Sequence, residues 1–213
     1  MIIINPSPAR FFFPWILWKG DARSRNVHLT FDDGPDPEYT PRVLDILGAG
    51  EVKATFFVTG EKALRHPGLV ARIAREGHVV GNHGFSHTSL AFGKRETVLS
   101  EIERTDEAVR RITGRSPVPF RPPYGRFDPR FRKWMDHTGH RLVLWSLVTC
   151  DFSETSAAAL VDRVSRRIHA GAVLLLHDGH PNTPVMLEAL PELLGLFRNM
   201  KLSPAPIEVG KKQ

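Results

Sequence analysis

Short apolar runs alternate with amphipathic segments along most of the chain. "VHLTF", Val27 to Phe31, alternates apolar and polar positions between turn residues and predicts a strand. "PRVLDILGAG", Pro41 to Gly50, has apolar residues at helical spacing, with Thr40 and Pro41 as its start and Gly48 or Gly50 as its stop. "ATFFVTG", Ala54 to Gly60, predicts a second strand, "PGLVARIAREG", Pro67 to Gly77, a second helix, and "HVVGNH", His78 to His83, a third strand. Lys94 to Thr113 predicts a long charged helix ending at Gly114, and "VPFRPPYG" a short strand that breaks at Pro122. A helix over Pro129 to Gly139 and a strand over "HRLVLWSLV", His140 to Val148, come next. Ser156 to Ala170 and Pro184 to Met200 read as helices, and "APIEV" as a last edge strand. "AVLLLHD", Ala172 to Asp178, is the near-continuous apolar run of a parallel strand buried on both faces.

Such alternation, without linker, repeat or low-complexity tract, argues for about seven βα units around a parallel sheet, an α/β barrel that is incomplete. In βα barrels, function sits on the loops after the strands. Asp32-Asp33, His83 with His87, Arg121 with Tyr124, Cys150-Asp151 and His177-Asp178 all fall at that end of a predicted strand. In a barrel they converge on one cleft.

Composition narrows the partners. The 213 residues are 41% hydrophobic and 24% charged, which suits one sizeable domain. The net charge is +6, but Lys and Arg are scattered and form no basic stripe interleaved with aromatics, so a nucleic-acid partner is not expected. Cys150 is the single cysteine, which excludes an intramolecular disulfide and a multi-thiolate metal site. "FFFPWILW", Phe11 to Trp18, is apolar but short and interrupted by Pro14. Residues 1–26 are therefore expected to form an apolar extension packed on a domain of residues 27–213, with a weak membrane-surface contact through Phe11 to Trp18 as the alternative. No signal peptide or transmembrane helix is recognised; the cytoplasm is the default compartment, the cell envelope its rival, and a monomer the expected state.

"TFDDGP" by itself is ordinary turn chemistry, and adjacent carboxylates repel unless a cation joins them. His83 and His87 are four residues apart, and a helical turn would put both imidazoles on one face. With one carboxylate they make a two-His, one-carboxylate set that leaves positions open for water and substrate. One aspartate then ligates, and the other stays close enough to act as a base.

These stretches resemble the motifs of the polysaccharide deacetylase family, the NodB-homology domain of carbohydrate esterase family 4. "TFDDGP", "HGFSH", "RPPYG", "WSLVTCDFS" and "LLLHD" are similar to its five motifs and occur in the family's order. The resemblance implies a distorted, incomplete (β/α) barrel. It implies that Asp33, His83 and His87 hold a divalent metal, usually Zn2+, with Co2+ as a substitute. It assigns Asp32 as general base, Arg121 as its holder, His177 as general acid and Asp151 as the partner of His177. Tyr124, whose backbone N–H would face the oxyanion, Pro123, Leu175 and Phe152 are expected at the substrate. Gly84 stands where the family usually carries Ser or Thr, and Phe152 where it usually carries Trp.

The implied activity is removal of N-acetyl groups from N-acetylglucosamine-containing glycans, peptidoglycan or chitin-type. The rivals are de-O-acetylation of xylan, deacylation of a lipid-linked amino sugar, and a non-catalytic glycan-binding module. Arg121 as a surface ion pair and His177 as a core histidine are the bland alternatives. Phe120 and Trp145 read as core, and His66, His78, His137, His140 and His169 as structural.

Overall fold

The computed structural model describes residues 6–208. The chain starts with α1 (Pro6–Phe12), a helix the sequence reading did not mark, and enters the sheet at β1 (Asn26–Asp32). Then follow α2 (Tyr39–Ala49), β2 (Thr55–Val58), α3 (Gly60–Arg65), α4 (Pro67–Arg75), β3 (Val79–Asn82) and α5 (Arg95–Thr113). The second half comprises β4 (Pro119–Phe120), α6 (Phe131–Thr138), β5 (Arg141–Leu142), β6 (Leu147–Val148), α7 (Ala157–Ser165), β7 (Val173–His177), α8 (Thr183–Asn199) and β8 (Ser203–Pro204). The helices start and stop on local chemistry: Ser156 Oγ caps α7 by accepting from Ala159 N, and Gly114 ends α5 in the left-handed region.

All strand pairs are parallel, in the order β5-β4-β3-β2-β1-β7-β6, with β8 added to β1. β5 and β6 belong to one stretch of chain, so the two ends of the sheet meet there. The irregular residues between them leave the barrel distorted and incomplete. The single strand expected over His140 to Val148 is thus split, because its partner changes from β4 to β7. Leu17 fills the break: its N–H donates to Leu142 O at 3.0 Å, and Leu144 N donates to Leu17 O at 2.9 Å. The last edge strand also lies earlier than "APIEV": β8 covers Ser203–Pro204, and pairing ends after Ala205 N bonds Val27 O, since the next donor in the ladder, Ile207 N, bonds Thr55 Oγ1 instead. Val209 lies outside the described residues.

β1 shows how period-two patterning builds the site. Val27, Leu29 and Phe31 join the core between sheet and helices, together with Val43 and Leu47 of α2, Leu160 of α7 and Leu190 of α8. The alternate residues Thr30 and Asp32 face the barrel interior, where both bond Arg121. A second core holds Phe57, Phe120, Val173 and Leu175 with Phe131 and Trp134 of α6.

That second core also takes in Ile16 and Trp18, which are buried. Trp18 Nε1 donates to Phe13 O at 3.0 Å, and Phe13 meets Phe127 edge to face at 4.9 Å. Phe11 and Phe12 stay 75% and 79% exposed. No helix among the described residues is long and apolar enough to cross a membrane. Burying Ile16 and Trp18 is worth about 5 kcal/mol on an area basis. Deleting residues 1–20 is therefore expected to lower the melting temperature by about 10 °C or more in lipid-free buffer. An unchanged melting curve together with lost vesicle binding would assign the segment to membranes instead.

Candidate active site

Five strand ends carry the candidate residues, and four of the loops that follow have a non-glycine residue in the left-handed region: Asp33 (φ 72°), His87 (φ 58°), Tyr124 (φ 61°) and Cys150 (φ 61°). Such backbone persists only where its surroundings hold it. At the first loop Gly34 is obligatory, since a Cβ there would lie 2.4 Å from Asp178 Oδ1.

Asp33 Oδ1 lies 2.8 Å from His87 Nε2 and 3.3 Å from His83 Nε2. Burial works against the charge on Asp33, but hydrogen bonds and charge from His83 and His87 outweigh it and hold its carboxyl far below the usual range. His83 Nδ1 lies 2.7 Å from Arg121 O. A carbonyl can only accept, so Nδ1 is the donor, which leaves Nε2, the atom facing Asp33, as the one that would ligate a cation. One ligand atom from each of Asp33, His83 and His87 falls within 4.8 Å of the others. This donor set, with the His83 tautomer fixed from behind, fits a divalent cation with positions left for water. The helical turn expected to unite the histidines does not exist. Residues 83–87 form a loop with Gly84 at φ 77° and His87 at φ 58°, and these reversals bring the rings together at 5.1 Å.

Asp32 is 3% exposed, with Oδ2 3.8 Å from His83 Nε2. Its Oδ1 accepts from Arg121 Nη1 at 2.6 Å. Arg121 is fully buried rather than a surface partner, and also donates to Thr30 Oγ1, Val143 O and Leu144 O. Burial lowers its pKa and the charge of Asp32 opposes that; a guanidinium stays charged regardless. On the neighbouring strand β7, opposite Asp32 in register, His177 Nδ1 lies 3.0 Å from Asp151 Oδ1, and Asp151 Oδ2 accepts from His177 N at 2.7 Å. Burial alone would lower the pKa of His177, but the Asp151 charge and hydrogen bond, helped by Asp32 and Asp33, push it up to about 9.

Asp32, Asp33, His83, His87 and His177 line one cavity of about 160 Å³ with Tyr124, Trp145, Phe152 and Leu175, while Arg121 and Asp151 are buried behind it. The Tyr124 ring lies 4.7 Å from that of His87, and Phe152 stands edge-on to His177 at 5.7 Å. Pro123 is not part of the lining; it is buried and packs beneath Gly84. Trp145 was expected only in the core. It is buried but walls the cavity, and its indole N–H has no hydrogen-bond partner among the described residues.

Two features at the site, one in the cavity and one behind it, were missed by sequence reasoning. His180 lines the cavity, and its Nδ1 accepts from Asn182 N at 3.1 Å, so the neutral ring carries its proton on Nε2. Burial, then the neighbouring His177 charge, lowers its pKa. A histidine three residues after His177 in the same loop was the available signal. Lys62 on α3 donates to Asp33 O at 2.7 Å and steadies the aspartate loop from below. A helix of six residues is too short to show periodicity, so α3 went unread.

Comparison with known proteins agrees with this geometry. The chain matches the polysaccharide deacetylase family over residues 19–143. It is 40% identical over 171 residues to a peptidoglycan-N-acetylglucosamine deacetylase of Bacillus cereus, covering 78% of this chain and 62% of that protein. It therefore spans less than two thirds of that relative's length. A chitooligosaccharide deacetylase of Rhizobium leguminosarum bv. trifolii is 40% identical over 157 residues, covering 74% of this chain and 73% of that one. A crystal structure of a peptidoglycan N-acetylglucosamine deacetylase superposes with a TM-score of 0.91 at 32% identity, covering 97% of this chain and 99% of the other. Barrel, motif order and kinship agree, and the chain belongs to the polysaccharide deacetylase family.

Proposed function

We propose that this chain is a zinc-dependent hydrolase that removes N-acetyl groups from N-acetylglucosamine-containing glycans, peptidoglycan or chitin-type oligosaccharide. The observation that carries this reading is the cleft itself. The Asp33–His83–His87 cluster stands beside Asp32, which Arg121 holds, and Asp32 is the register partner of His177, which Asp151 holds. Relatives in the family act on such glycans by name.

Asp33, His83 and His87 would hold the cation. A divalent ion in such a site lowers the pKa of water to about 7 and polarises a carbonyl. Asp32 takes the proton from water as the oxygen bonds the acetyl carbon, and Arg121 keeps Asp32 ionised and oriented. The backbone N–H of Tyr124 is assigned to the oxygen that gains charge. Leu175 and Trp145 give the acetyl methyl an apolar wall. His177 then donates its Nε2 proton to the amide nitrogen as the C–N bond breaks, leaving acetic acid and a free amine. Its raised pKa keeps that proton available at neutral pH. The protons left on Asp32 and on the acetic acid pass to solvent, and His177 takes one back for the next turnover.

The reading is tested by acetate release from chitooligosaccharide, peptidoglycan, acetylxylan and a lipid-linked amino sugar. Release from the first two, abolished by chelation and restored by zinc or cobalt, is expected. Zinc-loaded protein that leaves both intact would overturn it, and release from acetylxylan or the lipid-linked sugar alone would select that rival.

A further inference from the structure

The loop joining His83 to His87 is held at almost every backbone group. Gly84 N donates to Asn82 Oδ1 at 2.8 Å. Phe85 N and Ser86 N both donate to Glu101 Oε2, at 2.9 and 2.8 Å. The Ser86 hydroxyl donates to Glu101 Oε1 at 3.0 Å. From the other side, Gly84 O and Phe85 O accept from Gly60 N and Glu61 N at the start of α3. Asn82 is itself tied to α5 through Ile102 O and Asp106.

Glu101 stands out in this set. It sits on α5, 8% exposed, on a helix whose outward face is otherwise charged. A buried carboxylate is costly unless its oxygens are satisfied. Here the donors come from one tripeptide, and that tripeptide connects two members of the candidate metal set. A carboxylate that accepts several N–H groups makes charge-assisted bonds, which are shorter and stronger than neutral ones. His87 follows directly, in a left-handed conformation that a non-glycine residue leaves when unrestrained.

We propose that Glu101 is a positioning residue for the metal site: it fixes the loop so that His87 Nε2 stays opposite His83 Nε2, and thereby sets zinc affinity. The inference rests on the metal reading given above. Groups that orient ligands from behind typically change metal affinity or activity 10- to 100-fold when removed.

The test is a zinc titration against a chromophoric chelator, with the visible spectrum of the cobalt-substituted protein as a second readout. Glu101→Ala is expected to weaken zinc binding about 10- to 100-fold and to alter the cobalt bands. Glu101→Gln keeps one acceptor oxygen for the two amides and should fall between. Glu103→Ala removes an exposed carboxylate from the same helix and should match the parent protein. Wild-type affinity and spectrum in Glu101→Ala, whatever its melting temperature, would reduce Glu101 to a structural residue. Should Glu101→Ala fail to fold, Glu101→Gln combined with Ser86→Ala carries the test; a loss of about tenfold or more supports the proposal and unchanged affinity overturns it. Parent protein that binds no zinc sinks the metal reading itself, whereas zinc binding in the parent with unchanged variants sinks this inference alone.

Discussion

Asp32→Asn is expected to lose about 100- to 10,000-fold in kcat on an N-acetyl substrate while keeping its zinc, because a base is removed and a ligand is not. Asparagine has nearly the shape of aspartate, so its oxygen can still accept from Arg121. The charge is what disappears. That leaves Arg121, fully buried, without its counter-ion, and only Thr30 Oγ1 and the carbonyls of Val143 and Leu144 to receive its protons. Stability should therefore fall as well, by about 3 kcal/mol, the low end for breaking a buried pair. Kinetics must be read well below the variant's melting temperature, with zinc content measured on the same sample. Activity within about threefold of the parent would remove Asp32 from the role of base.

His177→Ala should lose a similar 100- to 10,000-fold on the amide and distinctly less on an aryl acetate. An amine leaves only after protonation, whereas an aryloxide departs unassisted. The pH profile carries the same information. The active form is the imidazolium, so activity is present below the His177 pKa and falls as pH rises through it. Without a cation that pKa is pushed up to about 9. A bound cation offsets the pull of Asp32 and Asp33, which leaves Asp151 as the main support. The alkaline limb should then lie between about 6.5 and about 9, and vanish in the variant. Equal losses on both substrates with the limb unmoved would place the acid elsewhere.

The alternation of "VHLTF" was enough to turn Thr30 and Asp32 inward, and with them the acid pair at the strand end. The histidine spacing picked out two residues that the structure brings together, but through the wrong geometry. A helical turn and a loop with two left-handed residues both bring positions four apart together, and only backbone angles distinguish them. Glu101 was invisible for a related reason. In sequence it is one of many charges on a long helix, and its role depends on partners in a loop whose course no periodicity reveals. The resemblance put Pro123 at the substrate, but the left-handed turn at Tyr124 exposes that ring and leaves the proline buried, outside the cavity lining. Trp145 was read as core because it fell inside an expected apolar strand, but the strand breaks between Leu142 and Leu147, and Trp145 in that break walls the cavity.

The neighbour relations of β1 have a consequence for the order of assembly. Thr30 donates to Leu174 O, 144 residues away, whereas β2 joins β1, and β3 joins β2, by short crossovers. A chain emerging from the ribosome therefore completes Asp33, His83 and His87 long before β7 exists. Contacts this distant in sequence are slow to form. Until they do, one side of β1 is an unpaired edge with an apolar face, a surface prone to pair with other chains. A nascent chain arrested near residue 150 should hold zinc yet have no His177, so cation capture can precede barrel closure and limit aggregation during the wait. Hydrolytic competence then arises last, when the final inner strand docks.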